Sequence, residues 1–306
     1  MAPARFRPRR LGHVNLWVSD LERSVRFYEQ ACGIELVRRE PAIRIAFHSN
    51  GNTHHDIGLV ETSKGVDRIG RDGRVQIPAT RGIRVGLNHF GWEMPCEAEL
   101  VEAYVRAGES KLRAVDHLIS RSVYVGDPDG NGHEFYADSL RDWRSIYNLG
   151  REDEVTGEWT PGTPVPSREG FYNVDPPLRR IDAAPIHPRR LAGASIMTPR
   201  FDALTDFLVD TAGLAAQEGG EAGRRRSVFA GSLGYADMEV IERDDGNTVG
   251  LHSFTFSACP DVDFDALCQA SVACGGSAPE RIRDSTDELI ELRDPDGFIV
   301  RFRIED

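Results

Sequence analysis

The feature that most constrains the fold is an internal repeat. "LGHVNLWVSDLERSVRFYEQACGI", beginning at Leu11, returns position for position as "LAGASIMTPRFDALTDFLVDTAGL", beginning at Leu191. "HHDIGLVE" returns as "YADMEVIE", and "VGLNHFGWEM" as "VGLHSFTFSA". The turn in "SRSVYVGDPDGNGHEFYAD" reappears in "ELIELRDPDGFIVRFRIED". Self-similarity on this scale marks a duplicated domain. Whatever one copy folds into, the other must fold into as well.

Hydrophobic periodicity gives the content of one copy. "LGHVNLWVSD" alternates as a half-buried strand does, and "LERSVRFYEQACGI" is apolar at helical spacing, with Ser19 or Asp20 as N-cap and Gly33 closing it. Three strand-like runs follow, "IELVRRE", "IRIAFHSN" and "HHDIGLVE". After a polar stretch at 62–82 the order repeats. "VGLNHFGWEM" is a strand, "EAELVEAYVRAGE" a helix, and "KLRAVDHLIS", "SVYVGD" and "GHEFYAD" are strands. Asp127-Pro128-Asp129-Gly130 and Asp294-Pro295-Asp296-Gly297 carry turn chemistry. Residues 11–138 therefore read as two βαβββ units in tandem, and the chain as an α+β protein of tandem βαβββ modules. The predicted organisation is a first domain over residues 1–142, a Pro-rich linker or arm over 143–188, and a second domain over 189–306. Prolines as dense as those of "WTPGTPVP" and "DPPLRRIDAAPIHP" cannot join a helix or a central strand.

The two copies also act as a control on one another. Residues needed for the fold should persist in both, whereas residues needed for chemistry need appear in only one. By the shared landmarks, His13 corresponds to Gly193, His55 to Ala236 and His89 to Ser253. His117 corresponds to Asp284, Tyr124 to Glu291 and Glu134 to Arg301. Polar groups suited to ligation or proton transfer thus give way to inert or wrongly charged ones. The first copy reads as a site and the second as its empty shell. His13 and His89 stand at equivalent points of the first strands of two units expected to pack about a pseudo-twofold axis. Glu134 lies on the last strand of the second unit, facing the same cleft. Two imidazoles and one carboxylate make a facial triad, leave roughly three coordination positions open and favour non-heme Fe(II). Taken singly, each residue has a plain reading: His13 as a core or rim histidine, Tyr124 as a strand aromatic, Glu134 as a surface carboxylate and His54-His55 as a solvated strand entrance. Their joint loss from the second copy is what favours a site.

At these residues the sequence resembles the vicinal oxygen chelate superfamily, and within it the type I extradiol ring-cleaving catechol dioxygenases. The superfamily resemblance covers both repeats; the dioxygenase-like motifs are confined to residues 11–147. The resemblance implies two vicinal oxygen chelate domains with the metal in the first. It implies His13, His89 and Glu134 as ligands of Fe(II), with Mn(II) as the other candidate, and His55 as the acid–base histidine. It implies Tyr124 as the active-site tyrosine. His117 matches the histidine of a D-H-G-V-S-like segment that reads D-H-L-I-S here, and is expected to support the site from behind. The activity implied is cleavage of a catechol beside its diol with both atoms of O2, in aromatic compound catabolism. Two-domain members of that family usually keep the metal in the C-terminal domain, so this order is reversed. Two other readings stay open: a glyoxalase-like isomerase or epimerase holding Zn, Ni, Co or Mn, with His55 or Asp56 as a fourth ligand, and a metal-free, drug-sequestering binding protein.

Charge and composition bound the partners. A net charge of −12 argues against nucleic acid and membrane surfaces, leaving the basic "ARFRPRR" as a solvated tail. No apolar run approaches a membrane span, and no signal-peptide core is apparent. Five cysteines with no C-x-x-C spacing suggest reduced thiols and a cytoplasmic protein. The expected partners are a small catecholic substrate, O2 and further copies of the chain in a homo-oligomer.

Overall fold

The computed structural model describes residues 7–70, 73–108, 111–148, 157–217, 225–243, 249–283 and 288–305. In chain order the first repeat contains β1 (Arg10–Val18), α1 (Leu21–Arg26), β2 (Leu36–Glu40), β3 (Ile45–His48), β4 (Ile57–Glu61), a hairpin β5 (Arg68–Ile69) and β6 (Val75–Ile77), β7 (Gly86–Glu93), α2 (Glu97–Ala107), β8 (Lys111–Asp116), β9 (Ser120–Gly126) and β10 (Gly132–Asp138). Next come α3 (Trp143–Asn148) and β11 (Gly157–Glu158). The second repeat contains β12 (Pro188–Thr198), α4 (Phe201–Asp206), β13 (Ala215–Gln217), β14 (Arg226–Ala230), β15 (Met238–Glu242), β16 (Gly250–Ala258), α5 (Phe264–Ala273), β17 (Glu280–Arg283), β18 (Glu288–Arg293) and β19 (Ile299–Ile304).

These elements form four βαβββ modules with one topology, and the protein is the α+β fold expected. In each module the first strand lies parallel to the last, as β1 to β4, β7 to β10, β12 to β15 and β16 to β19. A parallel pair needs a crossover, which the helix supplies. The strand order of the first module is β1-β4-β3-β2, and the other three repeat it. Asp20 caps α1, accepting from the Arg23 amide at 3.0 Å. Both α1 and α4 continue as one π-turn, over Phe27–Ala31 and Phe207–Thr211. Such turns often mark functional sites. Here the turn occurs in both repeats, so it belongs to the fold.

The chain divides into two compact units that do not follow the repeats. Unit 1 is residues 1–12, 89–174 and 193–252; unit 2 is residues 13–88, 175–192 and 253–306. Each unit thus joins one module from each repeat, and the D-P-D-G turns show how. In unit 1, Asp129 accepts from the Thr198 hydroxyl at 2.5 Å, and Arg200 donates to the Pro128 carbonyl at 2.7 Å. In unit 2, Asp296 accepts from the Ser19 amide at 2.8 Å and from Arg23 at 2.9 Å. The first aspartate of each turn secures the turn itself. Asp127 accepts from the amides of Asp129 and Asn131, and Asp294 from those of Asp296 and Phe298. Gly130 and Gly297 close these turns at φ 87° and 91°, where a side chain would be strained. A second fastening is also duplicated. Asp237 accepts from the Leu11 amide at 2.8 Å in unit 1, and its counterpart Asp56 from the Leu191 amide at 3.1 Å in unit 2.

The linker segment contributes more structure than its prolines suggest. α3 and the two-residue β11, paired to β8, both precede Pro161 and so escape the proline constraint. Residues 157–174 then run along unit 1, where the Ala98 amide donates to the Ser167 carbonyl at 2.9 Å. Residues from Asp175 run along unit 2, where the Arg179 amide donates to the Asn50 carbonyl at 2.8 Å. All five cysteines are free thiols. Among the described residues no helix is long and apolar enough to cross a membrane.

Candidate metal centre

In unit 1, the pairing of β9 and β10 places Tyr124 opposite Glu134. Both are buried, at 5% and 4% exposure, as is His89 on neighbouring β7. His89 Nε2 lies 2.8 Å from Glu134 Oε2. Two donors about 2.1 Å from one octahedral ion, at right angles, would lie about 3 Å apart, so this spacing suits adjacent ligands. Tyr124 stands edge-on to His89, ring centres 5.5 Å apart, and its hydroxyl is 3.1 Å from His117 Nε2. The same His117 nitrogen is 3.8 Å from Glu134 Oε1. The Arg113 guanidinium lies over the Tyr124 ring, 4.3 Å from its centre. Leu118, standing where the resembling segment has glycine, takes φ 68°, and its amide donates to Asp116 at 2.8 Å. The backbone therefore follows a glycine-like path despite the side chain, at a cost of about 1–2 kcal/mol. Four of the six residues singled out from the sequence, His89, Glu134, Tyr124 and His117, thus meet in one unit.

The other two belong to unit 2. His13 is fully buried on β1, and its ring stacks on that of His55 at 4.0 Å. His54 and His55 are not on a strand; they sit in the bend that precedes β4. Nor are they solvated, being 4% and 6% exposed. Phe47 flanks His55 with ring centres 4.8 Å apart. Farther along the same face of β1, Trp17 packs with Ile43, Ile45, Val60 and Ile77, which seats the β5–β6 hairpin against this module.

The second repeat shows what replaced each group. Arg301 and Glu291 occupy the register of Glu134 and Tyr124 and form an ion pair at 2.8 Å. At the counterpart of His13, a Cβ on Gly193 would lie 2.5 Å from the Ala236 carbonyl oxygen, and Ala236 is the counterpart of His55. Asp284, the counterpart of His117, lies outside the described residues.

One polar group escaped the sequence reading. His133, next to Glu134 but on the opposite face of β10, accepts from Trp92 Nε1 at 3.0 Å and lies 3.4 Å from Asp127. Burial would raise the Asp127 carboxyl, but the hydrogen bond and charge of His133 hold it below its ordinary value. Strand alternation alone places His133 away from Glu134, and its role is to tie β7 and β10 to the D-P-D-G turn.

The comparisons with known proteins agree with this architecture. Residues 10–135 match the model of the Glyoxalase/Bleomycin resistance protein/Dioxygenase superfamily, to which this part of the chain is similar. More particularly, it is similar to catechol-2,3-dioxygenase of Bacillus subtilis, 29% identical over 133 residues, which is 43% of this chain and 42% of that relative. The chain spans 42% to 64% of the length of the first three curated relatives it matches. The solved 2,3-dioxygenase LapB from Pseudomonas sp. KL28 has the same fold, at a TM-score of 0.61 and 13% identity, over 98% of this chain and 93% of that one. So does a Mn(II)-bound glyoxalase from Novosphingobium aromaticivorans, at a TM-score of 0.62 and 12% identity, over 98% and 83%.

Proposed function

We propose that the protein is an Fe(II)-dependent extradiol dioxygenase that opens a catechol-type ring beside its diol, with His13, His89 and Glu134 as the metal ligands. The observation that carries this reading is the buried His89–Glu134 pair beside Tyr124 and His117, set against the Arg301–Glu291 ion pair at the equivalent place. A fold requirement would have left the same groups in both copies. The donor set fits: His89 and Glu134 supply two adjacent ligands, and His13, buried on the matching strand of the first module, supplies a second neutral imidazole. Such a set suits Fe(II) and Mn(II) and leaves positions for small molecules. When bound, the ion would chelate both oxygens of the diol, acidify them and hold O2 beside the ring.

The remaining groups have roles set by their chemistry. His55 is the acid–base group: its imidazole accepts a proton from the diol as it binds and returns it to the substrate as the ring opens. Phe47 flanks its ring, with ring centres 4.8 Å apart. Tyr124 donates a hydrogen bond to an oxygen of the reacting molecule, and His117 holds the Tyr124 hydroxyl in place. Similarity to catechol-2,3-dioxygenase over 133 residues supports the same chemistry.

The glyoxalase-like isomerase is the second reading, since a glyoxalase shares the fold. Of its two candidate fourth ligands, Asp56 is engaged with the Leu191 amide, a role its counterpart Asp237 repeats where no site is expected. That leaves His55, and the variant His55→Ala separates the readings. Under the dioxygenase reading it keeps its iron in an anaerobic Fe(II) titration and still binds catechol. Turnover falls roughly 10²–10⁴-fold, the usual worth of a positioned proton-transfer group. Loss of iron from this variant would favour the isomerase. The third reading, a metal-free binding protein, has no use for the His89–Glu134 pair.

A further inference from the structure

His54 has no part in the chemistry above, yet it is as buried as the groups that do. His13, His54 and His55, all within unit 2, offer ring nitrogens that lie within 4.8 Å of one another. Their ring centres are 4.0 Å apart for His13–His55, 4.6 Å for His54–His55 and 6.0 Å for His13–His54. We infer that these three histidines form a second metal site, selective for Zn(II) and other late first-row ions, that inhibits the enzyme by withdrawing His13 and His55. The inhibitory half of this inference rests on the function proposed above; the binding half does not.

The donor chemistry separates the two sites. Three neutral imidazoles with no carboxylate match the ligand set of tetrahedral zinc, with one position left for water. Zn–N bonds of about 2.0–2.1 Å put nitrogens about 3.4 Å apart, so the rings need to close by roughly 1 Å. His54 and His55 sit in a bend and not on a strand, which lets their rings make that adjustment without breaking a sheet. Nitrogen sites favour Zn(II) over Fe(II) on the Irving–Williams order, whereas the carboxylate in the set of His13, His89 and Glu134 favours the harder ion. Because both sets need His13, occupation of one empties the other. The repeat control gives the same partition. His13, His54 and His55 correspond to Gly193, Tyr235 and Ala236, so all three ligands vanish together from the copy without a site.

The test is a titration of the metal-free, full-length protein with Zn(II) by calorimetry and with Co(II) by visible absorption, for wild type and His54→Asn. The expected result is a tetrahedral Co(II) spectrum and tight Zn(II) binding in wild type. His54→Asn should weaken Zn(II) at least about 10-fold while Fe(II) affinity stays within about twofold. Ring opening by the iron-loaded variant should match wild type and resist added Zn(II). His54→Gln, measured in parallel with thermal melts, guards against a folding defect. Unchanged Zn(II) affinity in both folded variants would overturn the inference, as would a Zn(II) affinity that falls in Glu134→Gln instead. If no diol is opened at all, the proposed function fails, and the zinc and cobalt titrations still decide whether the site exists.

Discussion

His48 carries a cost that pH will expose. It is fully buried on β3, and neither ring nitrogen meets a hydrogen-bond partner among the described residues. Burial, with the Arg39 charge adding to it, pushes its pKa from 6.5 down to about 3. A histidine lowered this way binds its proton in the unfolded chain first, so stability is intact above pH 6.5 and is lost as pH falls towards 3. At pH 5 the loss is about 2 kcal/mol. His48→Leu should flatten the acid side of the stability–pH profile in urea titrations between pH 7 and pH 4.5, and an unchanged slope would contradict this. The sequence gives no hint of His48, because alternation assigns it to the face of β3 opposite Phe47 without saying what it meets there. The six residues of the proposed centre were legible for a different reason: each has a counterpart of other chemistry. What remained hidden was the substitution logic of the second copy, in which Arg301 and Glu291 form an ion pair and do not merely lose function.

At the scale of elements, the four modules were readable because each strand and helix keeps its period. The exceptions have physical causes. A π-turn adds one residue to a helix without disturbing its apolar spacing, so Phe27–Ala31 reads as ordinary helix. The stretch 62–82 reads as polar, yet it holds the β5–β6 hairpin. Its register comes from non-local contacts, Ile77 on Trp17 and Val60, and Arg68 donating to the carbonyls of Ile43 and Glu61. Trp17 lies four residues beyond His13 on the same face of β1, and the sequence of the second copy is much shorter at the place of this stretch. Substrate choice should therefore depend on it. Ile77→Ala should shift the kcat/KM ratio between 3-substituted and unsubstituted catechols by up to about 10-fold. Equal ratios in variant and wild type across a catechol panel would remove the hairpin from specificity.

For the whole molecule, the repeat and the packing divide the chain differently. The sequence repeat leads to expected boundaries at 1–142 and 189–306. Packing instead gathers one module from each copy into each unit, through Asp129 with Thr198 and Asp296 with Ser19. Those side chains are short, polar and distant in sequence, so nothing local announces them. The second repeat supplies one module to each unit, so each unit is complete only with both copies present. Removal of the second repeat is therefore a test of folding and not of chemistry, so the decisive measurement must use the full chain.

That measurement is an anaerobic Fe(II) titration of the intact protein, followed by oxygen uptake and product absorbance with a panel of catechols. The account predicts one iron per chain, no binding by Glu134→Ala, one O2 consumed per diol opened, and the near-ultraviolet or visible band of a ring-opened semialdehyde. Two irons per chain, or an iron-loaded protein that consumes no oxygen with any catechol, would contradict it.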